Sequence, residues 1–192
     1  LVLAVGRVRP LGAPMSQYYL FAIRRADGGV AWEAPLSRTT YAYPTSSYAT
    51  PTIDPVNRTV MVSSESSLLA FSLADGLFCW EAILNQWIVN ACPLVTSGSP
   101  GGDLSPQNRV FITDFDGAAG GGSLYCINID PFDAQKNPYQ LGQIVWSSLL
   151  PGTSGNTPTY AHGKVFVAST GVQSGAFQAS QIRAYPADAC EE

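Results

Sequence analysis

Apolar residues come in short runs along this chain, and each run is closed by a polar stretch that holds glycine or proline. The clearest runs are residues 1–8, 19–23, 59–62, 68–73, 109–113, 124–129 and 164–168. Runs of this length between turn residues predict β-strands joined by tight connections. One stretch admits a second reading, because Trp80, Ile83, Leu84, Trp87 and Ile88 also fit helical spacing. Its β-branched composition and its place in the repeat described next favour a strand.

The strands recur with their turns. Residues 26–34 read Ala-Asp-Gly-Gly-Val-Ala-Trp-Glu-Ala, and 48 positions later residues 74–82 read Ala-Asp-Gly-Leu-Phe-Cys-Trp-Glu-Ala, with six of nine positions identical. A degenerate copy runs from Leu124 through a longer polar connection to Gly142 and Trp146, where glycine again precedes tryptophan by four. A further copy begins at Gln181 and ends before its glycine and tryptophan. Another element repeats ahead of each: Thr50-Pro51, Cys92-Pro93 and Thr157-Pro158 each lead into a polar turn and a Val-rich strand. Proline lacks a ladder donor and is tolerated at a strand's first residue, so it marks where each unit starts. A β-type repeat with a period in the forties points to propeller blades.

A full unit therefore has four strands, A to D: the Pro-led strand, the Val-rich strand, the strand centred on Leu69 or Tyr125, and the Trp-bearing strand. The expected divisions are strands B–D of one blade over 1–36, a complete blade over 50–84, a complete blade with insertions over 92–149, and strands A–C of another over 157–190. The terminal pieces together make six strands, whereas one shared closing blade needs four. An open arc leaves apolar faces and strand edges uncovered, which invites association. The opening residues lack an initiator methionine and read as a strand rather than a secretion signal, so a processed product or a fragment is expected.

Composition narrows the functional classes. Of 192 residues, 12% are charged and 46% hydrophobic, with 18 glycines and 14 prolines, which suits many short strands and argues against disorder. A formal net charge of −4 without a basic cluster makes nucleic acid an unsuitable partner. No apolar run approaches the roughly 18 residues of a membrane-spanning helix.

The order of features, a Pro-led strand, a Val-rich strand, a Leu-Tyr/Phe-Ala-Ile/Leu strand, an Asp-Gly turn and a tryptophan four residues after that glycine, resembles the repeat of quinoprotein-alcohol-dehydrogenase-like β-propellers, the PQQ-like repeat. The resemblance covers nearly the whole chain. It implies an all-β propeller of four-stranded antiparallel blades, with about half of a seven- or eight-bladed ring here. It implies that Trp32, Trp80 and Trp146 dock between neighbouring blades, with Gly28, Gly76 and Gly142 as their partners. Elementary chemistry agrees that these are packing residues: glycine permits the positive φ of a two-residue hairpin turn after Asp27 or Asp75, and tryptophan buries a large ring. The resemblance also implies an extracytoplasmic protein, periplasmic or secreted. Family members without a cofactor serve as binding or scaffold modules, and the enzymes oxidise alcohols or sugars with PQQ and calcium.

Candidate chemistry is sparse. The single histidine, His162, falls in an A-to-B turn and leaves no His-rich metal site. Asp114 and Asp116, ahead of Gly117 and a glycine run, look like part of a calcium loop that lacks the later glutamate. Cysteines 79, 92, 126 and 190 show neither zinc nor haem spacing. Buried thiols are expected for Cys79 and Cys126, and Cys79 with Cys92 is the most plausible disulfide. Asn57-Arg58-Thr59 forms a glycosylation sequon. The adjacent cysteine pair of the quinoprotein enzymes is absent from the sequence, and no aspartate matches their base. The expectation is a non-catalytic module without cofactor, completed by further blades or by partner proteins. A fragment of a PQQ-dependent dehydrogenase, with PQQ and calcium, is the alternative. Trp87 falls between repeats, and it joins Asp114 and Asp116 as a candidate ligand or partner face. The insertions 97–108, 114–122 and 131–141 add loop surface where propellers put variation.

Overall fold

The computed structural model describes residues 1–8, 17–36, 49–88, 90–96, 108–115, 121–152, 154–173 and 176–187. These residues form β-strands and no helix, in four antiparallel sheets that follow one another in chain order. The first sheet joins β1 (Val2–Val8), β2 (Gln17–Ile23) and β3 (Val30–Pro35). The second joins β4 (Thr52–Asp54), β5 (Thr59–Ser64), β6 (Ser67–Ser72) and β7 (Phe78–Ile83). The third joins β8 (Leu94–Val95), β9 (Arg109–Thr113), β10 (Gly122–Asn128) and β11 (Ile144–Leu150), and the fourth β12 (Thr159–Ala161), β13 (Lys164–Gln173) and β14 (Ala176–Pro186). This is the all-β blade arrangement that the repeat predicts, and the stretch with competing helical spacing is strand over Phe78–Ile83.

Each sheet is a meander, so its connections alternate between two ends. The β5–β6, β9–β10 and β13–β14 hairpins share one end with the passages from sheet to sheet. The β4–β5 turn and the connections into the tryptophan strands occupy the opposite end. The insertion 131–141 belongs to that opposite end; of the other two insertions, 97–108 and 114–122, residues 97–107 and 116–120 lie outside the described residues.

Three apolar layers hold the sheets together. Leu20, Ala22, Trp32, Ala34 and Leu36 of the first sheet meet Val60, Val62, Leu69 and Phe71 of the second. Met61, Leu68, Ala70, Trp80 and Ala82 on the second sheet's other face meet Val110, Ile112, Tyr125 and Ile127 of the third. Phe111, Leu124, Cys126 and Leu150 then meet Val165 and Val167 of the fourth. The third sheet is thus covered on both faces, which buries every residue of its central strands β9 and β10. The rim strand β3 instead alternates buried with exposed positions.

The turns into the tryptophan strands differ from a two-residue hairpin. Six residues separate β2 from β3 and five separate β6 from β7. Gly28 N–H donates to Arg24 O and Gly76 N–H to Ser72 O, both at 2.9 Å, and each glycine takes a left-handed φ, 70° and 74°. A register shift beside each turn, at Ala22/Ile23 and Ala70/Phe71, supplies the extra length. The Asp27 and Asp75 carboxylates accept the N–H two residues on, from Gly29 and Leu77. Exposed as they are, both ionise below the ordinary carboxylate range: Asp27 chiefly through the Gly29 amide and then Arg24, Asp75 chiefly through Ser72 and then Leu77.

Candidate functional site

Each docked tryptophan lies on the glycine of the following sheet rather than on that of its own turn. A Cβ placed on Gly76 would sit 2.6 Å from Trp32 Cε3, and one on Gly142 would sit 2.9 Å from Trp80 Cε3. Those distances are shorter than real carbon contacts allow, so only glycine lets the indole lie flat on the turn. Trp32 adds a 3.3 Å bond from Nε1 to Leu73 O. Gly28 has the same left-handed φ, yet no described atom comes within 4 Å of its Cβ position. At the other end of the series, Trp146 is half-buried between Phe111 and Tyr185, with ring centroids 5.8 and 6.1 Å away.

A second device follows the prolines. Thr50 N–H donates to Cys92 Sγ at 3.2 Å, and Cys92 N–H donates to Thr157 Oγ1 at 3.0 Å. These are the residues before Pro51, Pro93 and Pro158, so each unit's entry strand hands a hydrogen bond to the next. Thr52 Oγ1 reinforces the first step by donating to Pro93 O. Sequence reasoning saw the repeated X-Pro pairs as strand starts and missed this ladder. The signal was present in the matching Thr, Cys and Thr ahead of the prolines.

At the hairpin end, Asp114 and Trp87 come together but do different work. Asp114 is fully buried: Oδ1 accepts from Ser123 N at 2.6 Å, and Oδ2 from Tyr125 Oη at 2.6 Å and Gln86 N at 3.0 Å. It is a bracket inside the fold, not a surface ligand, because three donors occupy its oxygens and protein surrounds it. Burial first, then the bond to Asp114, pushes the Tyr125 phenol up to about 12. By holding Gln86, Asp114 fixes the passage that carries Trp87. Phe115 N donates to Trp87 O, and Ile88 N to Glu65 O, both at 2.7 Å. The Trp87 side chain remains 64% exposed on this fixed backbone. Asp116, the third member of the expected face, lies outside the described residues.

A polar node missed at the sequence level organises the opposite end. Arg109 is buried at the start of β9, with Nη1 donating to Asn128 Oδ1 at 2.7 Å and its guanidinium 5.5 Å from the Tyr139 ring centre. Asn128 Nδ2 donates to the carbonyls of Asp130, Tyr139 and Gln140, which folds the 130–143 connection back on the sheet. Asp130 accepts from Asn108 and from Asn57, and Asn57 Nδ2 also reaches Asp54 and Ile129 O. The sequon asparagine is therefore a structural clasp between two sheets, and a glycan on it would break these bonds. A buried arginine beside several asparagines has no period in the sequence that would have revealed it.

The remaining candidates resolve simply. His162 sits at φ 50° beside Gly163 in the β12–β13 turn, exposed. Cys79 is exposed, contrary to the buried thiol expected, because it faces outward on the rim strand β7; Cys126 is buried. No disulfide links Cys79 with Cys92; Cys92 serves the entry ladder instead. Cys190 lies outside the described residues. Among the described residues no three His, Cys, Asp or Glu side chains group to hold a metal ion, and Asp114 accepts three hydrogen bonds from Ser123, Tyr125 and Gln86. No helix among the described residues is long and apolar enough to cross a membrane.

No family model and no curated protein matches the chain. Among solved structures it is similar to the crystal structure of BamB from Moraxella catarrhalis, with a TM-score of 0.51 and 16% identity, over 90% of this chain and 42% of that one. The chain thus spans less than half the length of that protein. At this identity the likeness shows the fold: the four sheets are blades of a β-propeller.

Proposed function

We propose that this chain is a non-catalytic propeller module that works by protein contact, outside the cytoplasm, and is completed by further blades or by partner chains. The observation that carries the reading is Trp87. A large indole left 64% exposed, on backbone tied down by Asp114, Glu65 and Phe115, resembles an interface anchor more than a loop residue. The buried polar clusters, by contrast, spend their groups on the chain itself: Asp114 on Ser123, Tyr125 and Gln86, and Asn128 on the 130–143 connection. The extracytoplasmic placement follows from the resemblance to PQQ-like repeats.

The test places a photo-crosslinking amino acid at position 87 and, separately, at Leu77, which is equally exposed at the opposite end. In the producing cell, position 87 should yield an adduct to another protein in the envelope or secreted fraction, and position 77 should not. No adduct at 87, equal adducts at both, or a purely cytoplasmic adduct would overturn the reading. Trp87→Ala should abolish the contact while shifting stability by less than about 0.5 kcal/mol, as expected for an exposed side chain.

A further inference from the structure

We propose that the β13–β14 hairpin is an arm to which an extended, uncharged strand of the partner protein adds, along the outer edge of β14. The proposal deepens the contact-module reading and rests on it. The hairpins β5–β6, β9–β10 and β13–β14 begin in matching registers, at Thr59–Ser72, Arg109–Asn128 and Lys164–Pro186. They end differently. The β5–β6 ladder closes at Ser64–Ser67, with Glu65 and Ser66 as its turn. The corresponding pair in the fourth sheet is Ser169–Gln181, and there the ladder continues through Gly171–Gln178, Val172–Phe177 and Gln173–Ala176. Residues 170–173 thus carry the hairpin roughly 13 Å past the end of the blade. A register shift between Ser169 and Gly171 re-aims the extension.

The two edges of this arm are not equivalent. On the β13 side, β12 pairs no farther than Phe166, and the passage from the third sheet then takes the edge: Ala168 O accepts from Ser154 Oγ at 2.8 Å and from Asn156 Nδ2 at 3.3 Å. On the β14 side, no strand among the described residues pairs with residues 176–180. The other blades show how far a tryptophan strand reaches. β7 pairs no farther than Ser67 and β11 no farther than Gly122, positions that correspond in register to Gln181 and Ser180. A fourth strand of that length leaves residues 176–178 clear, so the edge belongs to the arm itself.

The composition of the arm suits strand addition. Between Lys164 and Arg183 the sequence holds no charged residue and no proline. Natural sheet edges are guarded against pairing by lysine, by inward charge or by proline, and a two-stranded ribbon alone is only marginally stable in water. An unguarded ribbon raised at the end of the molecule that carries Trp87 is a template for a third strand. Main-chain bonds along β14 supply the affinity. The arm offers no ion-pair partner, and burying an unpaired charge against it is costly, so the segment that adds is uncharged. Trp87 anchors the same partner at the same end.

In the producing cell, a photo-crosslinking amino acid at Gln178 should give an adduct to the protein that position 87 captures. Removing residues 171–179 joins Thr170 to Ser180 and leaves a turn as short as Glu65-Ser66. This variant should keep its urea midpoint and lower the position-87 adduct by about tenfold or more. Ala176→Lys combined with Gln178→Lys, charges of the kind that guard natural edges, should lower it as much, and serves should the deletion fold poorly by circular dichroism. Gln178→Ala should leave the adduct unchanged, because strand addition draws on the main chain. An adduct at 87 with none at 178, a position-87 adduct that survives both the deletion and the lysine pair, or a Gln178→Ala loss equal to that of the lysine pair would overturn the strand addition and leave the contact-module reading standing. No adduct from either position would overturn both.

Discussion

Three glycines in equivalent turns separate backbone strain from indole docking. Gly28, Gly76 and Gly142 share a φ between 70° and 76°, so an alanine at any of them carries the same left-handed cost of about 1–2 kcal/mol. The entropy that alanine removes from the unfolded chain is common to all three and cancels in comparison. What differs is the neighbour. At Gly76 the new methyl would stand 2.6 Å from Trp32 Cε3 and 2.9 Å from Cδ2, in a layer where the indole is wedged between sheets. Overpacking of that kind typically costs about 1–3 kcal/mol more. At Gly142 the methyl meets Trp80 Cε3 at 2.9 Å and a backbone carbonyl, Glu81 O, at 3.2 Å, so relief is no easier. At Gly28 it meets nothing within 4 Å among described atoms. Urea unfolding followed by tryptophan fluorescence should therefore rank Gly28→Ala as mild, at about 1–2 kcal/mol. Gly76→Ala and Gly142→Ala should be severe, at about 2–5 kcal/mol. Equal losses at Gly28 and Gly76 would refute the docking account, since strain alone would then explain all three.

Two further outcomes follow. Tyr125 ionises at about 12 in the fold against an ordinary 10.0, so it stabilises the protein fully below pH 10 and that contribution drains away between pH 10 and 12. Two pH units amount to about 3 kcal/mol. Tyr125→Phe should flatten the alkaline decline in urea midpoint between pH 9 and 12, and an unchanged decline would show that the phenol is not its source. Iodoacetamide on the native protein should label Cys79 and spare Cys126 until denaturant is added. Burial and the charge of Asp75 raise the Cys79 thiol, so its labelling should quicken as pH climbs through 9. Labelling of Cys126 at the rate of Cys79 would contradict the buried layer that holds it.

The architecture was legible in the chain because its signals are local. A Pro-led strand, an Asp-Gly turn and a tryptophan four residues later are short-range patterns, and the left-handed φ at Gly28, Gly76 and Gly142 is what such turns demand. The register-shifted turn was not legible, because the bulge at Ala22/Ile23 or Ala70/Phe71 depends on how the partner strand pairs. Neither was the burial of Asp114, which no pattern around Phe115 distinguishes from a surface loop. Cys79 was misread for a related reason, since a strand position is buried only if some other sheet covers that side.

By itself, then, the sequence determined that this protein is all-β and where its Asp-Gly turns and the strands after them fall, since each of those is decided within a few residues of chain. Only the tertiary structure decided which pieces meet. Trp32 belongs to Gly76 and Trp80 to Gly142, Thr50 bonds Cys92 and Cys92 bonds Thr157, and Asn57 clasps Asp130 across 73 positions. These pairings join sheets that are distant in sequence. They are chosen by the stacking of whole faces, where burial of apolar area dominates and each polar group must then find a partner in the geometry that results.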